Sequence, residues 1–145
     1  AHLAERPCNQ ISGGEGQLVL LARALAQATP AVVMDEPTAH LDFRNELMVL
    51  ETIARLVHER EVALLMATHN PNHPFHLQAA GVPARVGLLH DGRLRGPGEP
   101  RELLNESLIH QAYGVTTRVV FFDRGELAGL SQVIPIGTAK SDGET

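Results

Sequence analysis

The chain has 145 residues, the length of one ordinary domain and too short for two of normal size. At 43% hydrophobic and 20% charged it has the composition of a globular protein, and a formal net charge of −5 argues against a surface that coats nucleic acid or membrane. A lone Cys8 excludes an internal disulfide, and no uninterrupted apolar run approaches the roughly 18 residues of a membrane-spanning helix.

The first predicted element is a helix opened at Ser12, with Leu18, Leu21, Ala22 and Leu25 on one face and an end near Gln27 or Ala28. Ala31 to Met34 follows Pro30 as a short apolar run, predicted to be a strand buried on both faces. Asp42 then caps a helix whose Leu47, Leu50, Ala54 and Val57 recur at helical spacing, and Val62 to Ala67 is a second strand. This β-α-β unit predicts two parallel strands. Asn70 to Pro83 holds three prolines and reads as a turn, a short helix and a loop, with His73 and His76 exposed. Val86 to Leu89, Asp91-Gly92 and Arg93-Leu94 read as a tight hairpin. One or two short helices are expected within 102–113, and a last strand pair at Val115 to Phe122 and Leu130 to Ile136.

Ser12 and Glu15 satisfy the S-x-x-E capping box, which alone means only a helix start. Gly13 and Gly14 add to it. Glycine weakens a helix, yet it lets backbone amides come close to a ligand, and a helix N-terminus with free N–H groups suits phosphate. Asp35-Glu36 stands at the C-terminal end of the first strand, where open α/β sheets place ligands. There Asp35 is the candidate Mg²⁺ ligand and Glu36 the candidate group that polarises an attacking water. The bland alternative is a loop acid next to a helix-start acid. Thr68-His69 ends the neighbouring strand, so parallel pairing brings His69 to the same rim as Glu36. A metal site built from His69, His73 and His76 is disfavoured, because Pro71 and Pro74 interrupt the helix that would align the rings and no further ligand lies in the segment.

Taken in series these residues resemble the C-terminal part of an ABC-type ATPase, a P-loop NTPase of α/β class with a parallel β-α-β core and here a small C-terminal β addition. Ile11-Ser12-Gly13-Gly14-Glu15 resembles the signature motif, Val32 to Thr38 the Walker B strand with its catalytic glutamate, Ala39-His40-Leu41-Asp42 the D-loop, and Ala67-Thr68-His69 the switch histidine. The resemblance implies ATP hydrolysis with Mg²⁺ by a head-to-tail dimer of two ATPase subunits. Glu36 and His69 would be catalytic and Asp35 the metal ligand. Ser12, Gly13, Gly14 and Glu15 would touch the nucleotide held by the other subunit, and Asp42 would couple the two sites. The dimer would sit peripherally on the cytoplasmic face of the membrane, on transmembrane permease subunits served by a substrate-binding protein, with no nucleic acid as partner. Leu89 to Arg93 and Gly96 to Pro100 resemble the strand, turn and helix entry that follow the switch histidine, and Glu106 through Val115, with an apolar tail ending Val133-Ile134-Pro135, is similar to ATPases that import iron–siderophore, haem, cobalamin and related metal chelates.

The family's phosphate-cradling Gly-Lys-Ser/Thr is not found in the chain, whose lone Lys140 follows Ala139. On this reading 1–113 is the C-terminal part of the ATPase domain, 114–138 a strand pair and 139–145 a disordered tail. The chain reads as a fragment unable to bind ATP alone. The alternatives are a soluble ABC-type ATPase acting on nucleic acid or ribosomes, and an inactive truncated gene product.

Overall fold

In the computed structural model, which describes residues 6–60 and 62–138, regular structure begins where Ser12 turns the chain into helix α1, Gly13–Leu25. Ser12 is extended, at φ −69° and ψ 162°, and both halves of the capping box are made. After Leu25 the turn tightens, with N–H groups of Gln27 and Ala28 bonding back to Ala24 and Leu25. The expected disordered tail, 139–145, lies outside the described residues.

The chain divides into two units, 1–69 and 70–145. The first contains α1, strand β1 (Ala31–Asp35), helix α2 (Phe43–Arg60) and strand β2 (Ala63–Ala67). β1 and β2 are parallel, in register from Ala31 opposite Ala63 to Asp35 opposite Ala67. The expectation that β1 is buried on both faces does not hold. Val32 is buried, but Val33 is 74% exposed and its register partner Leu65 is 68% exposed. Side chains alternate across a strand, and the described residues of this unit cover one face of the two-stranded sheet far better than the other. In α2 the buried stripe is Val49, Leu50, Ile53 and Ala54, with Ile53 wholly inaccessible. Leu50 and Ala54 sit there as their spacing predicted, while Leu47 and Val57 are half-buried at its margin.

The second unit contains α3 (His73–Ala79), the antiparallel hairpin β3 (Val86–His90) and β4 (Arg93–Gly98), the short helices α4 (Pro100–Leu103) and α5 (Glu106–Tyr113), and the antiparallel pair β5 (Val115–Phe121) and β6 (Ser131–Thr138). The hairpin turns through Asp91 at φ 48° and Gly92 at φ 70°, two left-handed residues as a two-residue turn between twisted strands requires. Asn105 caps α5 by accepting from Leu108 N–H at 2.9 Å, and Gly114 ends it at φ 65°. Phe75, Leu88, Leu104, Ile109 and Val133 form the core. His73, expected in an exposed loop, opens α3 and is 2% exposed.

Asn72 closes this unit on itself. Its side chain donates to the Val133 carbonyl at 3.2 Å and accepts from the Val133 N–H at 2.7 Å, so one amide serves both polar groups of a buried strand residue. Asn72→Ala leaves both groups without that partner. Urea titration should show unfolding of residues 70–138 made easier by about 1–3 kcal/mol; a change under half a kilocalorie per mole would show that Val133 finds other partners.

Candidate functional site

The sequence-predicted residues lie in the first unit, on the entry to α1, the ends of β1 and β2, and the entry to α2. β1 ends at Asp35, and the Glu36 N–H donates to the Ala67 carbonyl at 2.9 Å, which carries the parallel ladder one step beyond the strand. Glu36 then turns into the left-handed region at φ 44°, and His40 does the same at φ 62°. Such conformations cost a non-glycine residue about 1–3 kcal/mol each and gather where a function holds them. Ala39 N–H returns to the Glu36 carbonyl and Leu41 N–H to that of Thr38, which folds residues 36–41 into successive turns.

The result is a contact between two strand ends. Glu36 Oε2 lies 2.8 Å from His69 Nδ1. The His69 side chain is 77% exposed and that of Glu36 34%, so the pair is open to solvent and to a ligand. A carboxylate in this position can accept a proton from water while the imidazole holds it in one orientation. Asp35, one residue earlier, lines a groove of about 190 Å³ together with Gln17 of α1.

At the entry to α1, Ser12 N–H donates to Glu15 Oε2 at 2.8 Å and Glu15 N–H donates to Ser12 Oγ at 3.3 Å. Ser12 Oγ accepts there and keeps its own hydrogen to donate. Gly13 and Gly14, at the first two helical positions, carry amides that no intrahelical carbonyl can reach. Asp42 caps α2: its Oδ1 accepts from Asn45 N–H at 2.8 Å and its Oδ2 from Asn45 Nδ2 at 2.9 Å.

Asn45 is the residue that sequence reasoning missed. A Cβ added to Gly14 would stand 2.5 Å from Asn45 Cγ and 2.6 Å from its Oδ1, so the amide rests directly on the glycine backbone. The available signal was an amide three residues after a capping Asp, but its target, 31 residues back, leaves no trace in local spacing. The structure therefore makes two groupings: Glu36 with His69, and Gly14 with Asn45 and Asp42. Gly14→Ala should destabilise the unit by about 1–3 kcal/mol through overpacking, because Asp42 holds Asn45 from two sides. Thermal melts of Gly14→Ala, Asn45→Ala and the double variant test this: the double variant should be more stable than the sum of the single losses, whereas strict additivity would mean that the two do not touch.

For a metal, the described residues contain no group of three or more His, Cys, Asp or Glu able to form a cage, and His69, His73 and His76 form none. Asp35 fits a cation that needs one or two carboxylates and takes its other ligands from water and phosphate, the habit of Mg²⁺. No described helix is long and apolar enough to cross a membrane.

No family model matches the chain. It is 42% identical over 113 residues to an uncharacterised ABC transporter ATP-binding protein of Haemophilus influenzae, a match covering 78% of the chain and 41% of that protein. It is 30% identical over 136 residues to the ferric enterobactin transport ATP-binding protein FepC of Escherichia coli K12, covering 94% of the chain and 47% of FepC. Among solved structures, an inward-facing metal-chelate type ABC transporter superposes with a TM-score of 0.82 at 26% identity, over 93% of the chain and 52% of the matched chain. The chain thus spans less than half the length of the two curated relatives.

Proposed function

Because the chain has the fold of the C-terminal part of an ABC ATPase domain, we propose that it supplies the hydrolytic carboxylate and the partner-facing phosphate contacts of a transport ATPase. The observation that carries this reading is the 2.8 Å contact between Glu36 and His69 at the C-terminal ends of two parallel strands. Glu36 acts as general base on the water that attacks the γ-phosphate of ATP, and His69 holds that carboxylate and touches the phosphate. Asp35 would hold Mg²⁺, which would supply positive charge against the phosphates.

Ser12 Oγ and the amides of Gly13 and Gly14 bind the terminal phosphate of ATP held by a second subunit, as a helix N-terminus binds anions. Glu15 keeps Ser12 in place through the capping box. Asp42, through Asn45, ties the D-loop to the signature glycine, so a shift at one is felt at the other. With no Gly-Lys-Ser/Thr among its 145 residues, the chain alone binds ATP weakly or not at all. The working state is a head-to-tail dimer of cassettes under permease subunits, on the cytoplasmic side of the membrane, fed indirectly by a substrate-binding protein. The cargo is a metal chelate, a class supported by similarity to the ferric enterobactin ATPase and to the metal-chelate transporter.

Replacing the matched segment of Escherichia coli FepC by this chain tests the assignment. Growth on ferric enterobactin as iron source is expected to return in a strain lacking FepC. A stable, membrane-associated chimera that gives no growth would refute the import reading.

A further inference from the structure

The second unit has a groove of about 620 Å³ between the β3–β4 hairpin and α5. Leu88, Leu108 and Ala112 lie along it, and Gln111 stands on the helix side. The hairpin side carries Arg93 and Arg95. Register puts Arg93 opposite His90 and Arg95 opposite the core residue Leu88, so alternation turns both arginines to the face that looks on α5. Leu89 and Leu94, paired with each other and 73% and 65% exposed, alternate to the other side of the pleat, with Leu94 also at the edge of the groove. The hairpin thus turns Leu88 to the core, leaves Leu89 and Leu94 exposed, and carries Arg93 and Arg95 exposed on the groove side.

The arginines also differ from the others of this unit. Arg85 pairs with Glu99, Arg118 with Glu106 and Arg124 with Asp123, while Arg101 stacks over the Phe121 ring. Among the described residues Arg93 and Arg95 have no such partner, and Asp91, the acid on the groove, is taken by His90 at 3.3 Å. Two unneutralised guanidinium groups over an apolar floor, in a chain of net charge −5, point to an anionic occupant that also has apolar parts.

We propose that this groove binds an extended acidic segment of a partner protein in which two carboxylates alternate with an apolar residue. Positions two apart on an extended peptide repeat at about 6.6–6.8 Å, the same spacing as Arg93 and Arg95 along β4. The carboxylates meet the arginines and the intervening side chain meets Leu108 and Ala112 of α5. A bare phosphate chain would leave that apolar wall unused. The inference is independent of the ATPase reading.

The test is fluorescence anisotropy of a labelled Glu-Leu-Glu-Leu-Glu peptide with the 145-residue chain. Saturable binding is expected, with a Kd below about 1 mM. It should weaken about tenfold or more in Arg93→Gln/Arg95→Gln and hold in Arg124→Gln, which removes one charge elsewhere. On the ligand side, where protein folding is not at issue, Gln-Leu-Gln-Leu-Gln should not bind and Glu-Glu-Leu-Leu-Glu should bind more weakly. Equal binding of the glutamine peptide, no saturation by 1 mM, or an equal loss in Arg124→Gln would overturn the proposal. So would tripolyphosphate binding more tightly than the peptide, which would make the groove a phosphate site.

Discussion

Under the proposed role as general base, Glu36→Gln is expected to lower ATP turnover by about 10²–10⁴-fold. The protein for this measurement is the Haemophilus influenzae relative with its matched segment replaced by this chain, so that a phosphate-cradling half is present. Glutamine has almost the shape of glutamate, and its Oε1 can still accept from His69 Nδ1 across the 2.8 Å gap. The left-handed turn at residue 36 and the bond from its N–H to Ala67 involve backbone only and are unchanged. What is lost is the basicity of one oxygen. The expected signature is therefore a collapse of kcat with KM for ATP nearly unchanged, the pattern of an interaction made in the transition state. A parallel rise in KM would mean that Glu36 binds nucleotide and does not activate water. His69→Ala should cost less, because it removes the holder of the base and not the base.

Phe75→Ala has the largest expected effect on stability, about 3–5 kcal/mol. The chain has four Phe and one Tyr. Phe43 and Phe121 are 78% and 50% exposed, Tyr113 is 45% exposed and Phe122 is half-buried, so Phe75, at 3%, is the fully buried ring. It fills the space among Leu88, Leu104, Ile109 and Val133. Alanine there loses the transfer energy of the ring and leaves a cavity that these aliphatic neighbours cannot close without leaving their rotamers. Urea titration followed by far-UV circular dichroism gives the loss directly. Phe43→Ala is the control and should change stability by no more than about half a kilocalorie per mole. A similar loss at both positions would mean that the core of residues 70–138 does not rest on Phe75.

Local chemistry made much of this legible. Ser12 and Glu15 are a pair three residues apart, and both reciprocal bonds are present. Asp91-Gly92 permits the left-handed turn that the hairpin needs, and the turn is there. The approach of His69 to Glu36 followed from parallel pairing alone, because both residues leave their strands at the same end.

What escaped depends on residues far apart. Whether Val33 is buried is decided by what lies across the sheet, and an apolar run reads the same in either case. Two flanking prolines make His73 read as a loop residue, but Pro74 occupies the first turn of α3, where a missing N–H does no harm. Asn45 became significant only when Gly14, 31 residues away, proved to have its amide side chain where a Cβ would go. The groove arginines gave no signal either. Arg93-Leu94-Arg95 alternates as any strand does, and only the register with Leu88 shows which side faces the core.

We propose Glu36 as the hydrolytic carboxylate of a transport ATPase. The most direct test of this role is the steady-state ATP turnover of the Haemophilus influenzae chimera, with and without Glu36. Turnover within about tenfold of the parent protein is expected, with its collapse in Glu36→Gln. A folded chimera that binds ATP yet turns it over no faster than its own Glu36→Gln variant would contradict this role.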